Sequence, residues 1–422
     1  MTVSFAFLRL DMSVVMLLLL VIIYVAFISL GLPDAVLGSS WPVMHRDLEA
    51  SIEYAGLIAL IISSGTVMSS LLSVRLIRRF GIGIVVSVSV LLTALALVGF
   101  AMSQIAWMLL CLAIPLGLGA GAVDSALNNF VALHYKAKHM NYLHSFWGVG
   151  ATAGPLIMAN YITLNEGWRD GYWVIGLAQL ALVVLLLCAI PLWRKAAQSN
   201  NQVEEDHDTL VTNRAALKIH GVSLQLLVFF CYCSIELGTG LWAASFLISE
   251  KGTLASEAAF WVAIYYGGIT IGRFVCGAIA QRFRESSMIR MGAFLMVSGA
   301  ILLALPVQNG LANLGLLLIG FGCAPVFPNT LHLTPIRFGK KASQAIIGLS
   351  MATAYVGNTL VPPTLGVVLK YSSFATLPFI LLALALLLLW ATERLQSRHT
   401  PSRDIQGDMS ASLAQKLVRP EQ

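Results

Sequence analysis

Charge is what this sequence has least of. Asp, Glu, Lys and Arg make up 11% of its 422 residues and hydrophobic residues 58%, against about a quarter charged in an ordinary soluble domain. A soluble globule is thereby excluded. Cysteine is sparse and unpatterned: Cys111, Cys188, Cys231, Cys233, Cys276 and Cys323 all fall in apolar runs without metal-ligand spacing, and read as buried small hydrophobes. There is no phosphate-cradling loop and no metal-ligand cluster. Ser, His and Asp occur, but without a nucleophile elbow. These absences leave no motif for ATP use, for a bound cofactor or for an enzyme. The net charge of +6 is spread in a way that fits orientation in a bilayer better than contact with nucleic acid.

What is present is a series of long apolar runs. Twelve spans are predicted, roughly 14–38, 54–74, 82–103, 106–134, 141–163, 172–193, 221–248, 257–280, 288–307, 311–336, 343–370 and 374–392. The first is too long for a cleavable signal peptide and lacks a small-residue cleavage site, so it is expected to stay as an anchor. Placing the N-terminus in the cytoplasm puts 21 of the 26 Lys and Arg residues inside. The positive-inside rule therefore predicts two cytoplasmic termini and a multi-pass protein of the cell (inner) membrane. The polar break near Trp193 to Gly221 divides the spans six and six. The expected organisation is an all-α membrane protein with an N-terminal bundle over 12–195, a cytoplasmic linker over 196–218, a C-terminal bundle over 219–393 and a solvated tail over 394–422. A shift of 203 residues lays Gly65, Arg79 and Phe80 on Gly268, Arg282 and Phe283, as two copies of one six-helix unit would.

Inside these spans a few polar residues stand out. Gly117, Gly121, Asp124 and Asn128 recur at steps of four, three and four, the spacing of one helix face. A carboxylate at mid-membrane costs on the order of 3 kcal/mol, so Asp124 is expected to face a bundle interior or wet cavity. Asp34 follows Pro33, which removes an amide donor; it either binds an ion or hydroxyl ligand with freed carbonyls, or caps a broken helix at an outer mouth. Glu236 lies mid-span and either serves substrate or proton exchange, or forms a pair between the halves with a residue such as Arg273. Arg273 is read as a structural ion pair or an anion site. His144 and Trp147 precede a glycine-rich stretch in span 5. In span 10, Pro325 and Pro328 should unsettle the helix beside Asn329 and His332; in span 11, Tyr355 and Asn358 lie one turn apart. With Asn128, Trp147 and Trp242 these supply amide partners for hydroxyls and flat apolar faces for ring carbons, the mixture a sugar-like ligand needs.

With these residues laid out, the chain resembles the major facilitator superfamily over about residues 12–393. Of the family's loop signature Gly-x-x-x-Asp-Arg-x-Gly-Arg-Arg, Arg79 and Gly81 match, while Val74 and Arg78 stand for the Gly and Asp. The second copy keeps Gly277 and Arg282, with Gln281 for the acid. Within the superfamily the likeness is to the fucose–proton symporter group and the related glucose/mannose permeases. Gly119 to Asn128 resembles that group's Gly-x-Gly-x-x-Glu-Thr-x-x-Asn, with Asp124 for Glu; Phe327-Pro328-Asn329-Thr330 resembles its Phe-Pro-Thr; Ser234-Ile235-Glu236 is similar to its Gly-Ala-Glu. The resemblance implies two rocking six-helix bundles, proton coupling through Asp124, and a sugar cavity lined by Asn128, Glu236 and Asn329.

The expectation is a monomeric secondary transporter that takes up a neutral monosaccharide or similar polar solute. It would be coupled to protons through Asp124 and Asp34, with sodium as the alternative ion, and its gating loops would carry Arg79, Gly81 and Arg282. Two other readings stay open: a drug or metabolite exporter, for which Gly150 to Pro155 offers a partial antiporter signature, and a membrane sensor that transports nothing.

Overall fold

The computed structural model describes residues 11–135, 137–163, 167–198, 212–279, 282–306 and 309–399. These form sixteen α-helices and one 3₁₀ turn. The first half contains α1 (Met12–Asp34), α2 (Val36–Asp47), α3 (Tyr54–Phe80), α4 (Ile82–Met102), α5 (Ala106–His134), α6 (Ala137–Thr163), α7 (Trp168–Cys188) and α8 (Ile190–Gln198). The second contains α9 (Asn213–Ala216), α10 (Val222–Lys251), α11 (Ala255–Ile279), α12 (Glu285–Ala304), α13 (Asn309–Cys323), α14 (Val326–Phe338), α15 (Lys340–Tyr371) and α16 (Leu377–His399).

Eleven stretches among the described residues are long and apolar enough to cross a membrane, α1 with α2 and α13 with α14 counting once each. The twelfth expected span is α6, whose 27 residues suffice in length but include His, Asn and several glycines. It is packed between α1 and α11, so protein rather than lipid covers much of it.

The first span runs past its predicted end at residue 38 to Asp47. In this extension Ser39 and Ser40 donate to the Val36 carbonyl at 3.0 and 2.8 Å and the Trp41 indole donates to the Ile52 carbonyl at 2.7 Å. Hydroxyls satisfied by the preceding turn let a polar stretch stay helical. The last helix likewise continues to His399, with Leu395 buried. Part of the predicted linker is ordered too: Ala196 near the end of α8 is buried in the core of the first half, and Ala216 of α9 packs with Ala342 and Ile346. The rest of the linker (199–211), the tail beyond 399 and Arg9 lie outside the described residues.

The two halves repeat one pattern of contacts. Gly65 of α3 lies against Gly117 and Leu118 of α5, and Gly268 of α11 lies against Leu317 and Phe321 of α13. The second and fourth spans thus meet as the eighth and tenth do, at the glycines that the 203-residue shift aligns. Between halves, α6 packs on α11, α2 on α10 and α3 on α15.

These contacts close one end of the molecule, the far face, which carries the 48–53, 252–254 and 372–376 connections. There a Cβ on Gly38 would collide with the Gly240 carbonyl, Gly56 lies against Pro363, and Lys370 of α15 pairs with Glu53 before α3. At the opposite end, which carries residues 12 and 399, α5 and α14 pack principally within their own halves. Close approaches between the halves at Gly38, Gly56 and Glu53 thus lie toward the far face.

Candidate transport site

The site begins with a helix break. Pro33 cannot donate to the Ser29 carbonyl, the acceptor four residues back. That carbonyl instead accepts from Gln179 Nε2 of α7 at 2.7 Å, and Gln179 Oε1 accepts from Thr93 at 2.8 Å. The carbonyl expected to be free beside Asp34 thus has a partner, which removes a ligand from the proposed ion site. Nor does Asp34 cap the next helix: α2 has no side-chain cap. Asp34 is exposed at the break between α1 and α2. Its Oδ2 accepts from the Trp147 indole of α6 at 2.7 Å.

Asp124 lies half-buried on α5. Asn128, one turn on, donates through Nδ2 to both the Asp124 carbonyl and Oδ1 at 2.9 Å. The two glycines on the predicted face do different work. A Cβ on Gly117 or Gly121 would strike the Ile62 or Thr66 carbonyl of α3, so they bring helices together while Asp124 and Asn128 turn inward. Across the interface, Tyr355 of α15 lies within electrostatic reach of Asp124 and close to Ser70 of α3, whose own hydroxyl donates to the Gly121 carbonyl at 3.0 Å. Asp34 is likewise within electrostatic reach of Asp124 and Glu236.

The second half offers an acid that is already paired. Arg273 Nη2 donates to Glu236 Oε1 at 3.3 Å and to the Tyr232 hydroxyl at 3.2 Å, with the two charged side chains only 13% and 10% exposed. Arg273 and Glu236 belong to the same half. Nevertheless Arg273 also reaches the other half, where Nη1 donates to the His144 carbonyl at 3.3 Å and the guanidinium sits 5.3 Å from the Trp147 ring centroid. One connected set therefore runs Asp34, Trp147, Arg273, Glu236, Tyr232. Burying an ion pair is tolerable only with such extra partners.

His144 lies between Phe27 and Phe327, with ring centroids 6.2 and 6.3 Å away. Asn329 is half-buried beside the break at Pro325 and donates to the Pro325 carbonyl at 2.8 Å. The predicted disruption falls at Pro325 alone, because Pro328 sits in the first turn of α14, where no amide partner is needed. Asn358 is half-buried with its Oδ1 enclosed and unpartnered.

Two predicted ligands lie elsewhere. Trp242 is fully buried and donates to the Pro362 carbonyl at 2.8 Å; its place on the Glu236 helix put it in the candidate set, but packing against α15 claims the ring. His332 is 68% exposed and meets Glu285 Oε1 at 3.2 Å, so the turn that points Asn329 inward points His332 toward α12. Sequence reasoning missed Tyr232, Ser70 and Tyr266, whose ring lies edge-on to Trp147 at 6.4 Å. Tyr232 was findable, being one turn before Glu236; the other two are joined to the site only through the tertiary fold. Arg79 and Arg282 are exposed and make no ion pair with a carboxylate among the described residues. Gly81 joins α3 to α4 at φ +83°, a conformation that suits glycine.

The sequence and the architecture are similar to those of known proteins. Over 384 residues the chain is 24% identical to Bypass of stop codon protein 6 of Saccharomyces cerevisiae, covering 82% of this chain and 75% of that one. It is also 24% identical over 383 residues to the glucose/mannose transporter GlcP of Bacillus subtilis, covering 86% and 92%. Among solved structures, that of a D-xylose-proton symporter superposes with a TM-score of 0.72 at 15% identity, over 91% of this chain and 97% of that one. The model of the Major Facilitator Superfamily matches residues 17–362. With two six-span halves closed around a polar interior, the chain belongs to that superfamily and is a multi-pass membrane transporter, not an enzyme.

Proposed function

We propose that the protein is a proton-coupled importer of a neutral monosaccharide or closely related polyol, working by alternating access between its halves. The observation that carries this reading is the distribution of charge in the interior. Arg273 is committed to Glu236, while Asp34 and Asp124 each accept a single hydrogen bond from a neutral donor. Around Asp34 and Asp124, among the described residues, the one cation met is Arg273, already paired with Glu236; such an interior disfavours anions and favours protons and neutral hydroxyl-bearing solutes. Asn128 Oδ1, the Asn329 amide, Tyr355 and the face of Trp147 are suited to hydroxyls and ring carbons.

Protonating Asp124 removes a charge that is costly to carry through a dry, occluded state, and the proton leaves where the chamber meets water. In the orientation that the positive-inside pattern favours, the terminal face is cytoplasmic, and solute and proton are released there. The GlcP relative is named for glucose and mannose, which makes these hexoses the first solutes to test. A proton is favoured over sodium because Gln179 already occupies the carbonyl freed by Pro33. The exporter reading loses its motif: Gly150 and Gly154 lie against the Ile28 and Leu32 carbonyls of α1, a packing role.

The test is uptake of labelled glucose, mannose, galactose, xylose and fucose into proteoliposomes under an imposed pH gradient, with a sodium gradient in parallel. Asp124→Asn is expected to abolish accumulation, by at least about tenfold, and to retain counterflow exchange. Accumulation driven by sodium alone, or outward flux of hydrophobic drugs without sugar exchange, would overturn the proposal.

A further inference from the structure

Trp147 occupies a position that sugar binding alone does not explain. Its indole N–H meets Asp34, the last residue of α1 at the break before α2, and its ring face carries Arg273. Arg273 in turn is held by Glu236 and Tyr232 of its own half and by the His144 carbonyl of the other. Immediately beyond lies the tightest part of the α6–α11 seam, where a Cβ on Gly148 would collide with Thr270 Oγ1 and the Thr152 and Thr270 hydroxyls are 3.4 Å apart. A single side chain thus connects the acid at the broken helix to the cation that bridges the halves.

We infer that Trp147 is a positioning residue that transmits the charge state of Asp34 to the Arg273 bridge, and so couples protonation to separation of the halves. This rests on the reading that an interior acid titrates during transport. While Asp34 is ionised, its charge-assisted hydrogen bond fixes the indole and the fixed ring holds the guanidinium over its face. When Asp34 takes a proton the indole loses its charged acceptor. The ring can then turn, and Arg273 keeps Glu236 but loses its support from the first half. The charged and titratable groups around Asp34 are Asp124 on α5, His144 on α6, Glu236 on α10, and Tyr266 and Arg273 on α11. The side chain that α7 sends to α1 is the neutral Gln179.

The test needs no knowledge of the solute. Spin labels at Ser51→Cys and Leu254→Cys, both exposed at the far face of opposite halves, report its opening by distance measurement in nanodiscs, in a chain cleared of its native cysteines. The parent is expected to shift its distance distribution as pH falls. Trp147→Phe keeps the ring but lacks the N–H, so ionised Asp34 loses a donor. With no N–H to bond Asp34 the Phe ring no longer follows its charge, so the pH-dependent amplitude should fall severalfold, and the response that remains should have its midpoint at higher pH by about one to two units, the worth of one hydrogen bond to a charged group. Trp147→Leu, lacking ring and N–H, should lose most of the amplitude as well; Phe keeps the test usable where Leu fails to fold. A full amplitude in Trp147→Phe alongside a responsive parent overturns this inference alone. A parent that does not respond to pH overturns the proton-coupling reading and this inference with it.

Discussion

In the second half a carboxylate within the membrane is met by a guanidinium: Glu236 and Arg273 lie 3.3 Å apart with Tyr232 closing the triangle. In the first half Asp34 and Asp124 are met only by an indole and an amide. A paired acid has a partner that travels with it in the same half, whereas an acid met by a neutral donor has no countercharge to hold it ionised. On the function proposed above, the two halves would share a fold and divide the labour: the first would titrate, and the second would supply a fixed dipole against which it moves.

The strongest way to break this comparison is to make the second half resemble the first. Arg273→Gln leaves Glu236 buried without its cation, which costs about 3–5 kcal/mol and should lower thermal stability in detergent sharply. Adding Glu236→Gln removes the stranded charge and should restore most of the loss. If the single variant were as stable as the parent, Arg273 would not be the partner that makes Glu236 tolerable, and the contrast between halves would fail.

A smaller effect is expected where the halves touch. Gly38→Val would press a branched side chain into the Gly240 carbonyl, and overpacking costs about 1–3 kcal/mol. Because the clash exists only while the far face is closed, the variant should populate the far-face-open state about fivefold or more over the parent, read from the Ser51 and Leu254 labels. Equal populations would mean that the α2–α10 contact does not set the conformational balance.

How much of this was legible beforehand differs between fold and site for a physical reason. Spans are set by local hydropathy, so their number and most bounds followed from composition; the extension to Asp47 escaped because serines bonded to their own helix look like a loop. The repeat was visible as Gly65 over Gly268, but its meaning, a matched contact between alternate spans, needed the partner helices. Asp34, Asp124 and Glu236 were identifiable because an acid within a span is expensive. Their different partners were not. Glu236 and Arg273 are 37 residues apart and Asp34 and Trp147 are 113 apart, and no local pattern joins residues at such separations. Trp242 and His332 fail for the complementary reason, since helical spacing gives a face but not what covers it.

The smallest expected effect comes from the ion pair that, among the described residues, joins the halves directly. Lys370 and Glu53 meet on the far face with the lysine side chain 39% exposed, unlike the enclosed Glu236 and Arg273. Solvent screens such a pair, so it should act as a weak latch. Burial, the largest single influence, pushes the Glu53 carboxyl up, but the hydrogen bond from Lys370, a backbone hydrogen bond and the lysine charge together outweigh it, and the net is below the ordinary value. A depressed carboxylate keeps its contribution above its unfolded pKa and loses it only as pH falls through the lower folded value. Acidification from about pH 8 to 5, above the ordinary glutamate range, therefore leaves this latch closed, and the pH response of the far face originates in the interior acids. Glu53→Gln should raise the open population slightly at every pH without moving the midpoint. A moved midpoint would assign the pH response to the rim and take it away from Asp34 and Asp124.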